Sequence, residues 1–196
     1  MKSLLLAAMS LTALFAATLQ RGERDRAMSN LHASRKQFLD SIADLSEAQW
    51  NFKPDEKTWS VAEAAEHIAI SEDTIWETIE KQMLPSPART VDLKANDEAI
   101  LKGTVDRSRK FQAPEMLRPT HRWKNREDLT AHFKVSRDKL IAYVDKTGDD
   151  LRSHTAPHPA FKEMDAYQWI LLISAHSERH TLQILEVKSN PNFPKR

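Results

Sequence analysis

The sequence has no cysteine among its 196 residues and only 3 glycines. The absence of cysteine excludes thiol nucleophiles, Cys-ligated zinc, iron–sulfur clusters and disulfides. Scarce glycine, together with abundant Ala, Leu, Glu, Lys and Arg, favours helices over sheets. Any metal chemistry must therefore use His, Asp or Glu, and the chain contains 8 histidines.

The chain also lacks an excess of charge of one sign. Charged residues make up 29% of the sequence, yet the net charge is only +1, and 40% of the residues are hydrophobic. A nucleic-acid-binding surface needs clustered Lys and Arg and a more basic balance, so we expect no nucleic-acid partner. The length and the apolar content fit one globular domain with its own core.

The N-terminus carries an uncharged stretch that runs from Leu4 to Leu19, after Lys2. This stretch is shorter than the roughly 20 residues of a membrane-spanning helix and has the length of the apolar part of a secretory signal peptide. We predict a signal peptide over residues 1–20 and one domain over residues 21–196. The mature protein would be periplasmic or secreted, with no stable membrane span after cleavage. An uncleaved membrane anchor and a merely apolar start are the alternatives.

Apolar residues at helical spacing predict four long helices. They span residues 23–45, residues 60–83, a segment from Asn125 to Gly148, and a segment after Asp165 that ends before the final "NPNFPKR". Capping-box patterns mark two of the starts: Ser60 with Glu63, and Asp165 with Gln168. The sequence therefore predicts an all-α four-helix bundle.

The connections between these helices are long. Residues 85–125 contain several prolines and predict an irregular connection between the second and third long helices, with one or two helical turns in "DEAILKGT". The segment "DDLRSHTAPHPAF" is predicted to be a loop before the last helix. No strand pattern of any length is visible, and nothing marks a second domain.

Two histidines, His176 and His180, lie one turn apart on the last predicted helix. Around the helix axis they are separated by roughly 40°, and both are in phase with the apolar residues that face the core. Such a pair can share one metal ion, or it can simply pack in the core with its own hydrogen-bond partners. Glu178 lies about 200° round the helix from His176 and points away, which excludes the zinc-protease arrangement. Two nitrogens do not complete a site, since a catalytic zinc needs a third protein ligand.

The third ligand is not fixed by periodicity. His67 lies about 100° round the second long helix from Ile68, at the flank of the apolar stripe, where it either faces a neighbouring helix or solvent. His154 and His158 lie in the loop before the last helix and are candidates for the mouth of a site. The remaining histidines are expected at the surface: His32, His121 and His132.

Two segments resemble the DinB-like superfamily, also called the DinB/YfiT-like metalloenzymes. The first is "LSEAQWNFKPDEKTWSVAEAAEHIA", and the second is "HPAFKEMDAYQWILLISAHSERHTLQI". The resemblance implies a four-helix bundle of DinB/YfiT type with a long connection between the second and third long helices. It also implies a divalent metal, zinc or nickel, bound by His67, His176 and His180, and a possible homodimer.

The resemblance further implies an enzyme. We expect a metal-dependent hydrolase or a thiol S-transferase acting on an unknown small molecule; the predicted export departs from the intracellular setting of low-molecular-weight thiols. The alternatives are a non-catalytic metal or small-ligand binding protein of the cell envelope, and a bundle whose histidines only pack. Two more residues are candidates near the site. Gln183 lies on the ligand face, and Glu63 either orients His67 or only caps its helix.

Overall fold

A computed structural model describes residues 18–195, so nearly all of the predicted signal peptide lies outside the described residues. Six α-helices follow one another: α1 (Arg21–Ile42), α2 (Glu47–Trp50), α3 (Val61–Thr78), α4 (Asp97–Val105), α5 (Arg126–Lys146) and α6 (Ala166–Lys188). Two strands, β1 (Thr155–His158) and β2 (Lys162–Asp165), pair between α5 and α6. The long helices α1, α3, α5 and α6 form a four-helix bundle, which confirms the predicted fold class.

The helix starts follow the predicted capping boxes. The Ser60 hydroxyl accepts from the Glu63 N–H at 3.1 Å, and the Glu63 carboxylate accepts from the Ser60 N–H at 2.8 Å. Asp165 and Gln168 form the same reciprocal pair at the start of α6. These bonds satisfy backbone N–H groups that the first helical turn leaves without partners. After Thr78, α3 continues through a π-helical turn, Ile79–Met83, which ends at the predicted position.

The contacts between helices fix their directions. The Tyr167 hydroxyl donates to the Glu23 carbonyl, and the Lys188 ammonium, near the other end of α6, donates to the Ser41 carbonyl. Helices α1 and α6 therefore run parallel. Helices α3 and α5 also run parallel, since Asp73 contacts His132 and, further along both helices, the Trp76 ring contacts that of Tyr143.

This parallel pair explains the long connection. A chain that leaves the end of α3 must return along the bundle before it can enter α5 in the same direction. Helix α4 makes this return along α6, because Asp97 accepts from Gln168 and the Thr104 carbonyl accepts from Arg179. The predicted helical turns in this connection are thus the nine-residue helix α4.

The segment predicted to be a loop before the last helix instead contains a β-hairpin, so the loop prediction was wrong there. Thr155 pairs with Asp165, and His158 pairs with Lys162 close to the turn. Each strand has only four residues, and β1 contains Pro157. Strands this short show no alternation that a sequence pattern would reveal.

One arginine joins all four long helices. Arg137 on α5 is fully buried, and its guanidinium donates twice to the Glu72 carboxylate of α3, at 2.7 Å each. It also donates to the Leu31 carbonyl and the Ser34 hydroxyl of α1, and to the Ser177 hydroxyl of α6. All five N–H donors of the guanidinium are therefore satisfied inside the core.

The part of the chain that the structure describes contains no helix long and apolar enough to cross a membrane.

Candidate metal centre

Three histidines from two helices converge between α3 and α6. One ring nitrogen of each of His67, His176 and His180 lies within 4.8 Å of the other two. The Nε2 atoms of His67 and His176 are 3.3 Å apart. The ring centroids are separated by 4.4 to 4.9 Å. The structure therefore brings together the three histidines that the family resemblance implied as ligands.

A backbone carbonyl orients His67. Its Nδ1 lies 2.7 Å from the carbonyl oxygen of Leu117, which belongs to the connection between α3 and α5. A carbonyl oxygen only accepts hydrogen bonds, so the proton lies on Nδ1 and the lone pair lies on Nε2, which faces His176. The alternative role proposed for Glu63 is not seen, because its carboxylate binds the Ser60 N–H and the Lys53 ammonium.

The residue before His67 holds the segment that supplies this carbonyl. Glu66 is buried, and its carboxylate accepts from the backbone N–H groups of Thr120, His121 and Arg122 at 2.8 to 3.1 Å. His121 has a positive φ of 58°, which turns its N–H toward the carboxylate together with its neighbours. Glu66 and His67, adjacent on α3, therefore both bind the connection between α3 and α5. Glu66 accepts hydrogen bonds from it, and His67 donates one to it. Sequence reasoning missed Glu66, since nothing in its spacing reveals partners so far away along the chain.

Gln183 orients His180. The Nδ1 of His180 lies 2.8 Å from Oε1 of Gln183, which is one turn further along α6. With its proton on Nδ1, His180 also has the Nε2 lone pair available for a ligand bond. The sequence placed Gln183 on the ligand face, and the structure shows that its contact is with a histidine of the cluster.

Burial keeps the three imidazoles neutral. The side chain of His67 is nearly buried, with 3% of the residue exposed, and those of His176 and His180 are half-buried. Burial, with smaller contributions from the neighbouring histidines, lowers the pKa of His176 well below its ordinary value and that of His180 to about 3. Burial also lowers the pKa of His67, against the opposing effect of the Leu117 carbonyl. A metal ion requires neutral imidazole ligands, so these surroundings suit metal binding.

Trp59 covers one side of the cluster. Its ring lies 4.9 Å from that of His67 and 6.1 Å from that of His180, measured between centroids. The Ser60 cap fixes the start of α3, and Trp59 directly precedes it. The capping box therefore also holds this aromatic wall in place.

The other candidate residues lie elsewhere. Glu178 lines a groove with Asn30 and Ala33 of α1, and so points away from the cluster as predicted. His154 lies at the base of the hairpin, where its carbonyl accepts from the first N–H of α6, and His158 lies near the tip. Two histidines are exposed as expected: His32 and His121.

His132 departs from the surface role expected of it. Its Nε2 lies 2.6 Å from an Asp73 carboxylate oxygen, and its ring lies 5.0 Å from that of Trp123. It is half-buried and links α5 to α3.

Comparison with known proteins agrees with this architecture. Residues 30–184 match the DinB superfamily. The chain belongs to this superfamily. It is 28% identical over 161 residues to the uncharacterized protein YuaE of Bacillus subtilis, and the match covers 82% of this chain and 96% of that protein.

The fold is also similar to that of YfiT from Bacillus subtilis, which is described as a probable metal-dependent hydrolase with an unusual four-helix bundle topology. The TM-score is 0.54 at 14% identity, over 88% of this chain and 89% of that one. At this identity the similarity shows the fold alone.

Proposed function

We propose that this DinB superfamily member is a metal-dependent hydrolase whose divalent ion is bound by His67, His176 and His180. The convergence of three neutral imidazoles, with their nitrogens within 4.8 Å of one another, carries this proposal. The description of YfiT as a probable metal-dependent hydrolase supports the same reaction class.

The donor set fits a divalent ion such as zinc or nickel. Two imidazole nitrogens that each lie about 2.0–2.1 Å from one tetrahedral zinc ion are separated by roughly 3.3–3.4 Å. The Nε2 atoms of His67 and His176 already have this separation, at 3.3 Å. Within residues 18–195, no carboxylate joins the cluster. Three histidines fit several first-row metals, and they leave coordination positions open for a substrate.

A bound ion of this kind acts as a Lewis acid that stabilises negative charge on a nucleophile or on the group under attack. Neighbouring residues orient the histidine ligands and limit access to the ion. Leu117 and Gln183 hold two imidazoles in the tautomer that leaves Nε2 free. Trp59 covers one side of the cluster, so a ligand must approach from another direction.

A thiol S-transferase is the second candidate. It is favoured by the absence of a carboxylate from the histidine cluster in the described part of the chain. A metal ion lowers the pKa of a bound water and of a bound thiol alike, but a thiol is far more acidic than water to begin with, so it needs less help from a neighbouring base. The same absence is compatible with a protein that binds a metal without catalysis.

Elemental analysis of the purified protein tests the metal site first. We expect one equivalent of zinc or nickel in the wild type and little metal in the H176A/H180A double variant. The H32A variant, which removes an exposed histidine from α1, is the matched control and should keep the metal. A wild type that holds no metal, even after incubation with zinc and nickel, would contradict the proposal.

A substrate screen then separates the reaction classes. The metal-loaded protein and the same protein treated with a chelator are incubated with chromogenic carboxylic esters, phosphoesters and amides, and separately with a thiol and an alkylating electrophile. Metal-dependent hydrolysis that is lost in H176A/H180A supports the hydrolase. Metal-dependent consumption of the thiol alone assigns the transferase, and no turnover in either assay would leave a binding protein and overturn the hydrolase.

A further inference from the structure

The β-hairpin places a histidine against the helix that carries two of the cluster histidines. His158 ends β1, and its ring contacts that of Trp169 on α6, with centroids 5.3 Å apart and planes at 73°. Trp169 lies two helical turns before His176, so both side chains project from nearly the same face of α6. The hairpin therefore packs against the ligand face of this helix, on the side of the cluster that His176 occupies.

Phe161 joins the tip of the hairpin to helix α4. Its ring stacks on that of His158, with centroids 5.2 Å apart. It also lies against Gly103 of α4, where a Cβ atom would be only 3.2 Å from the Phe161 ring. Glycine at this position lets the tip pack closely against α4. The His158 ring thus has aromatic contacts on two sides, which limit its orientation.

Hydrogen bonds in the turn fix the tautomer of His158. Its Nδ1 accepts from the backbone N–H groups of Ala160 at 3.2 Å and Phe161 at 3.3 Å. A neutral imidazole that accepts at Nδ1 carries its proton on Nε2. Burial lowers the pKa of His158, so the ring is neutral near pH 7. Among residues 18–195, no acceptor binds the Nε2–H, and this atom is not enclosed by protein, so it is available to a ligand.

A buried cation lies between the two ligands of α6. Arg179 is 8% exposed, and its guanidinium donates to the backbone carbonyls of Thr104, Asp106 and Arg109. Among the described residues, no carboxylate lies within ion-pair distance of this guanidinium, so its charge is not neutralised by a direct partner. An electron-rich or anionic group is therefore the ligand that this charge favours.

We propose that His158 is a positioning residue whose Nε2–H donates a hydrogen bond to an anionic acceptor, such as a carboxylate, on the ligand bound at the three-histidine site. The inference rests on the proposed metal site and names the substrate chemistry that the site selects. It assigns the hairpin a function: the turn presents one neutral donor with a fixed tautomer along the face of α6 that carries two of the ligands.

The test uses the full chain loaded with Co²⁺, whose visible spectrum reports ligands at the metal. Acetate and imidazole are titrated separately into the wild type and into H158F, which keeps an aromatic ring against Trp169 but has no N–H. Metal-bound acetate offers a second oxygen to the donor, whereas metal-bound imidazole offers only an N–H and serves as the control ligand. We expect H158F to bind acetate about tenfold more weakly, as for loss of a hydrogen bond to a charged acceptor, and to bind imidazole within about twofold of the wild type.

A rescue variant completes the design. H158Q restores an N–H donor and should recover most of the acetate affinity, while H158M, which lacks the donor, repeats the loss if H158F does not fold. Equal acetate affinity in the wild type and in a folded variant without the donor, each holding one Co²⁺, overturns the role of His158 and leaves the metal site intact. A wild type that binds no Co²⁺ overturns the proposed metal site itself, and the inference with it.

Discussion

The Nε2 atoms of His67 and His176 face each other across 3.3 Å, although the two residues lie on different helices far apart in the chain. This pair joins α3 to α6, and His180, one turn after His176, completes the cluster. Each contact that orients these rings has a measurable consequence.

The metal-free protein should lose stability in acid. The pKa values of the three histidines are lower in the folded protein than the usual 6.5, so below pH 6.5 the unfolded chain binds more protons than the folded one. The stabilisation is complete above pH 6.5 and is lost as the pH falls toward the folded value, which is about 3 for His180. Between pH 7.5 and 5.5 we expect His180 alone to contribute a loss of about 1 kcal/mol, and His67 and His176 to add losses in the same direction.

Urea unfolding of chelator-treated protein at these two pH values measures this loss. The H180Q variant, with one titrating group fewer, should show a smaller difference between the two pH values than the wild type. An equal difference in both proteins would show that His180 does not contribute.

Replacing Glu66 should weaken metal binding without touching a ligand. In E66A, three backbone N–H groups lose their acceptor, and the segment that carries the Leu117 carbonyl is released from α3. Loss of the partner that orients a histidine ligand typically weakens metal binding by about 10–100-fold. We expect the zinc affinity of E66A, measured by competition with a chromogenic chelator, to fall at least about tenfold.

The control for this variant is E115A, which removes an exposed carboxylate from the same connection. It should bind zinc as the wild type does. If E66A also retained wild-type affinity, the connection would have no part in orienting His67.

Gln183 should tune the ligand strength of His180. The Q183A variant removes the acceptor 2.8 Å from Nδ1, and we expect zinc affinity to fall by about tenfold. The Q183E variant places a stronger acceptor there and should bind zinc more tightly than Q183A. Isothermal titration in one buffer compares the variants, with Q82A, an exposed position beyond α3, as control. Equal affinities in Q183A and Q82A would show that the hydrogen bond does not matter.

Removing only one member of the Arg137–Glu72 pair should strongly lower the free energy of unfolding. The R137M variant leaves a buried carboxylate without its partner, and E72L leaves a buried guanidinium, each of which costs about 3–5 kcal/mol. The double variant removes both charges and should be more stable than either single one. Urea unfolding of the four proteins measures the coupling. Strict additivity of the two losses would refute the view that the pair acts as a unit.

Local signals made much of the fold predictable. The capping boxes at Ser60 and Asp165 and the apolar stripes marked the long helices within a few residues of their ends. The helical phase of His176 and His180 placed both toward the core. The hairpin escaped detection, because four-residue strands carry too little alternation.

The contacts that complete the site are long-range. His67 lies at the flank of its apolar stripe, a position from which it reaches α6 while Ile68 packs in the core. Periodicity alone left that position open, and the resemblance to the DinB-like superfamily supplied it. The Leu117 carbonyl and the Glu66 carboxylate depend on where the connection returns, which no local pattern encodes.

The buried Arg137–Glu72 pair could have been predicted from the sequence. Arg137 lies one turn after Phe133 and one turn before Leu140, and Glu72 lies in the same way between Ile68 and Ile75. Two opposite charges at core spacing on two helices predict a buried ion pair, since charged side chains are seldom fully buried unless paired.

X-ray absorption at the metal edge of the zinc-loaded protein tests the three-histidine site most directly. We expect three imidazole nitrogens at about 2.0–2.1 Å from zinc in the wild type. We expect only two imidazoles in H67A, and an unchanged spectrum in H32A. A wild-type spectrum with fewer than three imidazoles, or one that is the same in H67A, would contradict the three-histidine site.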